Sequence, residues 1–135
     1  MRPPRDRDPA GGPNDRRAVG SDGEACAAAW LEAHGWRVLA RNVRAGGVEL
    51  DLVAARGRTL AFVEVKTRRS RSAGAPEEAV DARKRARLLR GATAWLLAHG
   101  RGAGWRVRFD VVACELEPDG SWRVRHLESA FDAGD

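Results

Sequence analysis

Apolar and polar positions alternate along Val48-Glu49-Leu50-Asp51-Leu52-Val53-Ala54 and again along Phe62-Val63-Glu64-Val65-Lys66-Thr67-Arg68, a period of two that predicts two strands. Ala55-Arg56-Gly57-Arg58 between them is a short Gly-containing link suited to a hairpin. Trp36-Arg37-Val38-Leu39-Ala40-Arg41-Asn42-Val43 alternates well enough for an earlier strand, and Gly46-Gly47 breaks it, so the three strands read as an antiparallel meander. Ahead of them Ser21-Asp22-Gly23-Glu24 has capping-box spacing, which predicts a helix over about 22–34 ending at Gly35.

Asp81 is a good N-cap for a second helix from Ala82 to about His99, with Ala86, Leu89, Ala92, Thr93 and Leu96 as its apolar stripe and Gly100 as its stop. Trp105 to Ala113 then predicts a fourth strand, and Pro118-Asp119-Gly120 turns the chain into a fifth, Trp122 to Leu127. Strand three, helix two and strand four form one right-handed parallel crossover in this reading. Thr67 to Pro76 is polar, basic and rich in small residues, and reads as a loop beside the third strand. Residues 1–19, rich in Pro, Arg, Asp and Gly with little to bury, read as a disordered tail, leaving one domain over 20–131 and a short tail over 132–135. No internal repeat is evident.

Against this apolar pattern the charged exceptions stand out. Successive strand residues advance about 3.3 Å and alternate sides, so Glu64 and Lys66 share one face roughly 6.6 Å apart, and the hairpin brings Asp51 beside Glu64. Two converging carboxylates are the hard oxygen ligands that Mg²⁺ uses, with water and substrate phosphate completing its shell. The competing reading of Glu64 and Lys66 is an ion pair on a half-exposed strand, which contributes little stability. Glu49 is a face-mate of Asp51 or a solvent charge at the strand entry. Glu24 is explained as the third residue of a capping box, yet its spacing from Ala28 and Leu31 places it on a face that packs inward.

Asp, then a hairpin, then Glu-x-Lys resembles the signature of the PD-(D/E)xK nuclease superfamily. The wording around Asp51 and over Phe62–Arg68, with Glu78-Ala79-Val80-Asp81-Ala82-Arg83-Lys84 and Arg108-Phe109-Asp110-Val111-Val112, is similar to the YraN-like proteins, uncharacterised protein family 0102, from about Gly20 to Phe131. Val48 stands where that family usually has Gly, and Ser21-Asp22-Gly23-Glu24 lacks an Arg that the family usually carries there. The resemblance implies an α/β, restriction-endonuclease-like core: a mixed sheet with the order helix, three strands, helix, strand, plus a C-terminal strand. It also implies a Mg²⁺ or Mn²⁺ cofactor on Asp51, Glu64, the Val65 carbonyl and, by analogy with archaeal Holliday-junction resolvases, Glu24. Lys66 then orients the attacking water, and resolvase kinship implies a homodimer.

The formal charge of +5 and a pI near 10.4 favour an anionic partner, nucleic acid first. Of twenty-four basic residues only Lys66 and Lys84 are lysine. Keeping a compact, tunable amine where the chain otherwise uses Arg marks those two positions for chemistry. Arg68, Arg69 and Arg71 in the loop, and Arg83, Lys84 and Arg87 at the start of helix two, are the expected phosphate contacts, with the helix amides assisting. Cys26 and Cys114 have no zinc-ligand or CxxC spacing, and neither a disulfide nor a zinc site is expected. No membrane span or signal peptide is legible, so the expected compartment is the cytoplasm. His34, His99 and His126 form no nucleophile-base couple and read as surface or packing residues, and the tryptophans as core. Asp110 pairs with a local Arg or supports the site in this reading.

The functional expectation is a metal-dependent endonuclease-like protein acting on DNA at branched or processed structures, since no base-reading module is apparent. The alternatives are a non-catalytic nucleic-acid-binding module of the same fold and a structural adaptor for another protein.

Overall fold

The computed structural model describes residues 15–69, 82–100 and 104–131, with the side chains of 15–20 and 131 left aside. Its elements are α1 (Asp15–Ala33), β1 (Arg37–Ala45), β2 (Val48–Arg56), β3 (Thr59–Arg69), α2 (Ala82–Ala98), β4 (Arg106–Leu116) and β5 (Trp122–Phe131). The five strands form one mixed sheet in the order β1-β2-β3-β4-β5. β1, β2 and β3 are the antiparallel meander, β3 and β4 run parallel across α2, and β5 returns antiparallel to β4. The chain is therefore an α/β protein with two helices on a five-stranded sheet.

Both faces of the sheet are covered. On one, α1 contributes Ala27, Ala28 and Leu31 to a core with Leu52, Ala54, Val63, Val65, Val112 and Cys114. On the other, Leu88, Ala92 and Trp95 of α2 pack against Leu50, Val53, Phe62, Phe109 and Val111. This two-sided burial explains the unbroken apolar stretches Leu60-Ala61-Phe62-Val63 of β3 and Val111-Val112-Ala113-Cys114 of β4: a stretch closed on both faces has no solvent side to alternate with.

Three readings of the sequence are corrected. Ser21 does not cap α1: the helix begins at Asp15, so residues 15–19 are helical and Gly20 and Gly23 lie inside it. Interior glycine costs about 1 kcal/mol relative to alanine, but Gly23 has a packing reason, because a Cβ there would overlap the Thr67 side chain on β3. The buried stripe of α2 is Leu88, Gly91, Ala92 and Trp95, about one position round from the expected one, and Leu89 is 38% exposed. Gly91 again sets the rotation, since its missing side chain admits Val48 and Leu50 of β2. Lastly, β3 continues to Arg69, so Thr67, Arg68 and Arg69 are strand residues rather than loop.

The link between β2 and β3 is tighter than expected, with Arg56 paired to Thr59 around Gly57-Arg58. Asp81, Arg71 and the rest of 70–81 lie outside the described residues. Among the described residues no helix is long and apolar enough to cross a membrane.

Candidate active site

The site forms where β2 parts from β3. Their ladder runs from Arg56/Thr59 to Leu52/Val63 and stops, while β3 continues to Arg69 paired with β4 alone. Beyond the last β2 pair the main chain of β3 needs a new partner, because a buried N–H without one costs about as much as a lost hydrogen bond. Asp51 supplies it: the Val65 N–H donates to Asp51 Oδ2 at 2.9 Å. A carboxylate thus takes the place of the missing strand neighbour.

The other flank of β2 is distorted at the same level. Val48 and Leu50 belong to the α2-side core with Val53 and Ala55, whereas Leu52 and Ala54 belong to the α1-side core. The facing of the strand therefore slips at Asp51. On β1, Asn42 lies between the partners of Leu50 and Leu52, hence opposite Asp51, and adopts φ 51°. Left-handed backbone in a non-glycine residue is uncommon, and such irregularities cluster at functional sites. Asn tolerates the conformation better than most residues.

Around Asp51 the charges concentrate. Glu64 Oε2 is 2.6 Å from Lys84 Nζ and 3.3 Å from Lys66 Nζ, so one carboxylate oxygen is shared by amines from α2 and β3. Burial first, and the negative charge of Glu64 second, push the Asp51 carboxyl up to about 7, against the pull of the Val65 N–H. Glu24 on α1 adds to this repulsion. Lys66 is lowered by burial and by its contact with Lys84, with Glu64 opposing. For Lys84 burial works against the charge, but its contacts with Glu64 and Lys66 outweigh it and raise the pKa. Of the two lysines, Lys84 is held the more closely by Glu64, at 2.6 Å against 3.3 Å for Lys66.

Mg²⁺ uses one or two carboxylates and keeps several waters. Asp51 and Glu64 fit that share, and the repulsion that raises Asp51 is what a divalent cation would relieve. Among the described residues no group of three His, Cys, Asp or Glu is placed to hold an ion, so water and phosphate would supply the rest of the shell.

The remaining candidates divide. Lys84, expected as an outer phosphate contact, belongs inside the site. Arg83 and Arg87 are exposed on the first turns of α2 and Arg69 at the end of β3, while Arg68 pairs with Glu115 at 3.6 Å. Glu49 is exposed. Asp110, 1% exposed, pairs with its local arginine: Arg108 Nη2 donates to its Oδ2 at 2.7 Å, the His126 Nε2 lies 2.7 Å from the same atom, and the Ser129 N–H donates to Oδ1 at 2.9 Å. Burial of Asp110 opposes its ionisation, but His126, Arg108 and the Ser129 N–H outweigh it and lower its pKa. It is a satisfied structural carboxylate that holds β5 to β4. Cys26 and Cys114 are free thiols in mutual contact, with Cys114 pushed up to about 12 mainly by burial. His34 and His99 stack on Trp30 and Trp95 at the ends of the two helices.

Residues 23–114 match the sequence profile of the Uncharacterised protein family UPF0102. The chain belongs to this family. A UPF0102 protein of Anaeromyxobacter dehalogenans is 49% identical over 124 residues, covering 91% of each chain, and one of Symbiobacterium thermophilum is 50% identical over 117 residues, covering 87% of this chain and 98% of that one. A UPF0102 protein of Beutenbergia cavernae is 52% identical over 110 residues, covering 82% and 92%. The solved structure of Pyrococcus furiosus SfsA in complex with Ca²⁺ is similar with a TM-score of 0.38 and 16% identity, over 84% of this chain and 64% of that one, a likeness too slight to carry an argument. The UPF0102 match begins at Gly23, the glycine against Thr67, and spans Asp51, Glu64, Lys66 and Lys84.

Proposed function

We propose that this UPF0102 protein is a metal-dependent endonuclease acting on DNA, at branched or processed structures rather than at a base sequence. The observation that carries the reading is the convergence of Asp51 and Glu64 with Lys66 and Lys84 where β2 leaves β3, on irregular backbone with the Asp51 carboxyl raised to about 7. Structural ion pairs alone do not call for a second, partly protonated carboxylate beside the first.

In this mechanism Asp51, Glu64 and the Val65 carbonyl would hold Mg²⁺ or Mn²⁺. When bound, the ion stabilises charge on the scissile phosphate and lowers the pKa of its water. Lys66, its ammonium weakened by burial and by Lys84, turns from Glu64 to the attacking water and positions it. Lys84, held charged by Glu64, faces the anionic phosphate as a fixed cation. Glu24 keeps the Asp51 end of the site negative.

A binding module without turnover is favoured by one observation, the occupation of Glu64 by both lysines. Purified protein with Mg²⁺ or Mn²⁺, against labelled junction, flap, single-stranded and linear duplex DNA, separates the two. The expected result is metal-dependent cleavage that a chelator abolishes while salt-sensitive binding persists. Equal product with and without chelator contradicts the mechanism, and binding without product leaves the module.

A further inference from the structure

The strand register extends the site sideways into a surface that the sequence did not point to. Lys66 is level with Ala113 of β4, and Ala113 with Arg125 of β5. One step along, Arg68 is level with Glu115, and Glu115 with Arg123. Side chains two apart on a strand share a face, so all six lie on the α2 side of the sheet, in two rows that continue outward from the row of Glu64, Val111 and Leu127. Arg123 and Arg125 are exposed.

The middle of the first row is alanine, which leaves a notch between two long cations. A cavity of about 160 Å³ opens there, lined by Lys66, Arg68, Arg123 and Arg125 with Ala113 and Cys114 among its walls. Lys66 pairs with Glu64 at 3.3 Å, Arg68 with Glu115 at 3.6 Å and Arg123 with Glu117 at 3.2 Å. Four cationic side chains thus line one notch. Strands lie about 4.8 Å apart, so Arg125 stands two strand spacings, roughly 10 Å, from the Lys66 backbone. Long side chains at both ends reach a phosphodiester chain laid across the strands with one phosphate at Lys66 and the next ones over Ala113.

We propose that this β3–β5 face is a nucleic-acid track, on which Arg125 and Arg123 grip the backbone phosphates flanking the one presented to Lys66. The inference rests on the reading of Asp51, Glu64 and Lys66 as a phosphodiester site, and it assigns that site a direction: the strand enters or leaves over β4 and β5. The contacts are to phosphate, so they position the strand without reading its bases.

The test is DNA binding measured as a function of salt, in chelator, so that turnover plays no part. Arg123→Gln/Arg125→Gln is compared with wild type and with Arg37→Gln/Arg41→Gln, which removes the same charge from exposed positions on β1 at the opposite edge. Losing two phosphate contacts is expected to flatten the slope of log affinity against log salt by about 2, with an unchanged melting temperature, while the β1 variant keeps the wild-type slope. An unchanged slope in the β5 variant, an equal loss in the β1 variant, or a wild type that fails to bind DNA at low salt overturns the proposal. A β5-specific loss in a protein that never cleaves DNA upholds the track and removes the catalytic reading. Cleavage by wild type with no β5-specific loss does the reverse.

Discussion

Lys66→Arg distinguishes a catalytic amine from a structural charge. Lys66 Nζ lies 3.3 Å from Glu64 Oε2, and a guanidinium placed there keeps the charge and takes a carboxylate in a two-pronged grip, but it cannot lose a proton or turn as a compact amine. The variant is expected to fold and to bind DNA as wild type does, with metal-dependent cleavage reduced on the order of a hundredfold, the cost of misplacing a nucleophile by about an ångström. Cleavage at the wild-type rate would make Lys66 a partner of Glu64 and nothing more. Asp51 makes a separate prediction about stability. Its carboxyl is raised to about 7 in the fold, so between about pH 4 and pH 7 the folded chain keeps a proton that the unfolded chain has lost. Stability from this group therefore falls as pH rises through that window and stays low above it. Asp51→Asn keeps an oxygen for the Val65 N–H and carries no charge. Thermal melts should show it several degrees above wild type at pH 8, with the gap closing toward pH 4, and a gap that does not change with pH would refute the raised carboxyl.

The contact between α1 and β3 is a matter of two small sites fitting each other. Thr67 is β-branched and stiff, and Gly23 leaves the space into which it packs. Gly23→Ala is expected to cost about 1–2 kcal/mol in spite of alanine's better helix propensity, as overpacking does. Adding Thr67→Ala should recover most of the loss. If the single variant melts at or above wild type, α1 does not approach β3 as closely as described. The same residue shows why the start of α1 was hard to read. Ser21 and Glu24 satisfy the capping-box spacing, and two glycines argue against an interior position, so local rules favour a start at Ser21. The close approach to Thr67 depends on a residue 44 positions away, and no local rule contains it. In α2 the stripe was misplaced for a like reason: Gly91 is polar-neutral on its own, and becomes the contact surface only opposite Val48 and Leu50. The strands were legible because alternation and apolar runs are properties of the segment itself.

For the molecule as a whole, the neighbourhood of Asp51, Glu64 and Lys66 was legible because a hairpin fixes which residues lie level with one another, and a count of two fixes which share a face. What was not legible is how the strands part. The end of the β2–β3 ladder, the slipped facing of β2 and the left-handed Asn42 are responses to tertiary packing on both sides of the sheet. Lys84 reaches Glu64 only because α2 returns over the meander, and Arg125 and Arg123 come level with Ala113 and Glu115 only through the pairing of β4 with β5. The central claim is that Asp51 and Glu64 together hold a divalent cation, and ligands must be deprotonated to do so. Calorimetric titration with Mn²⁺, run in buffers of different ionisation enthalpy at pH 6 and pH 8, reads both the ion and the proton it displaces. With Asp51 raised to about 7, wild type is predicted to bind one ion per chain, to release about one proton at pH 6 and almost none at pH 8, and to lose both signals in Asp51→Asn. Wild type that takes up no cation, or an Asp51→Asn variant that binds it as tightly with the same proton count, would contradict the account.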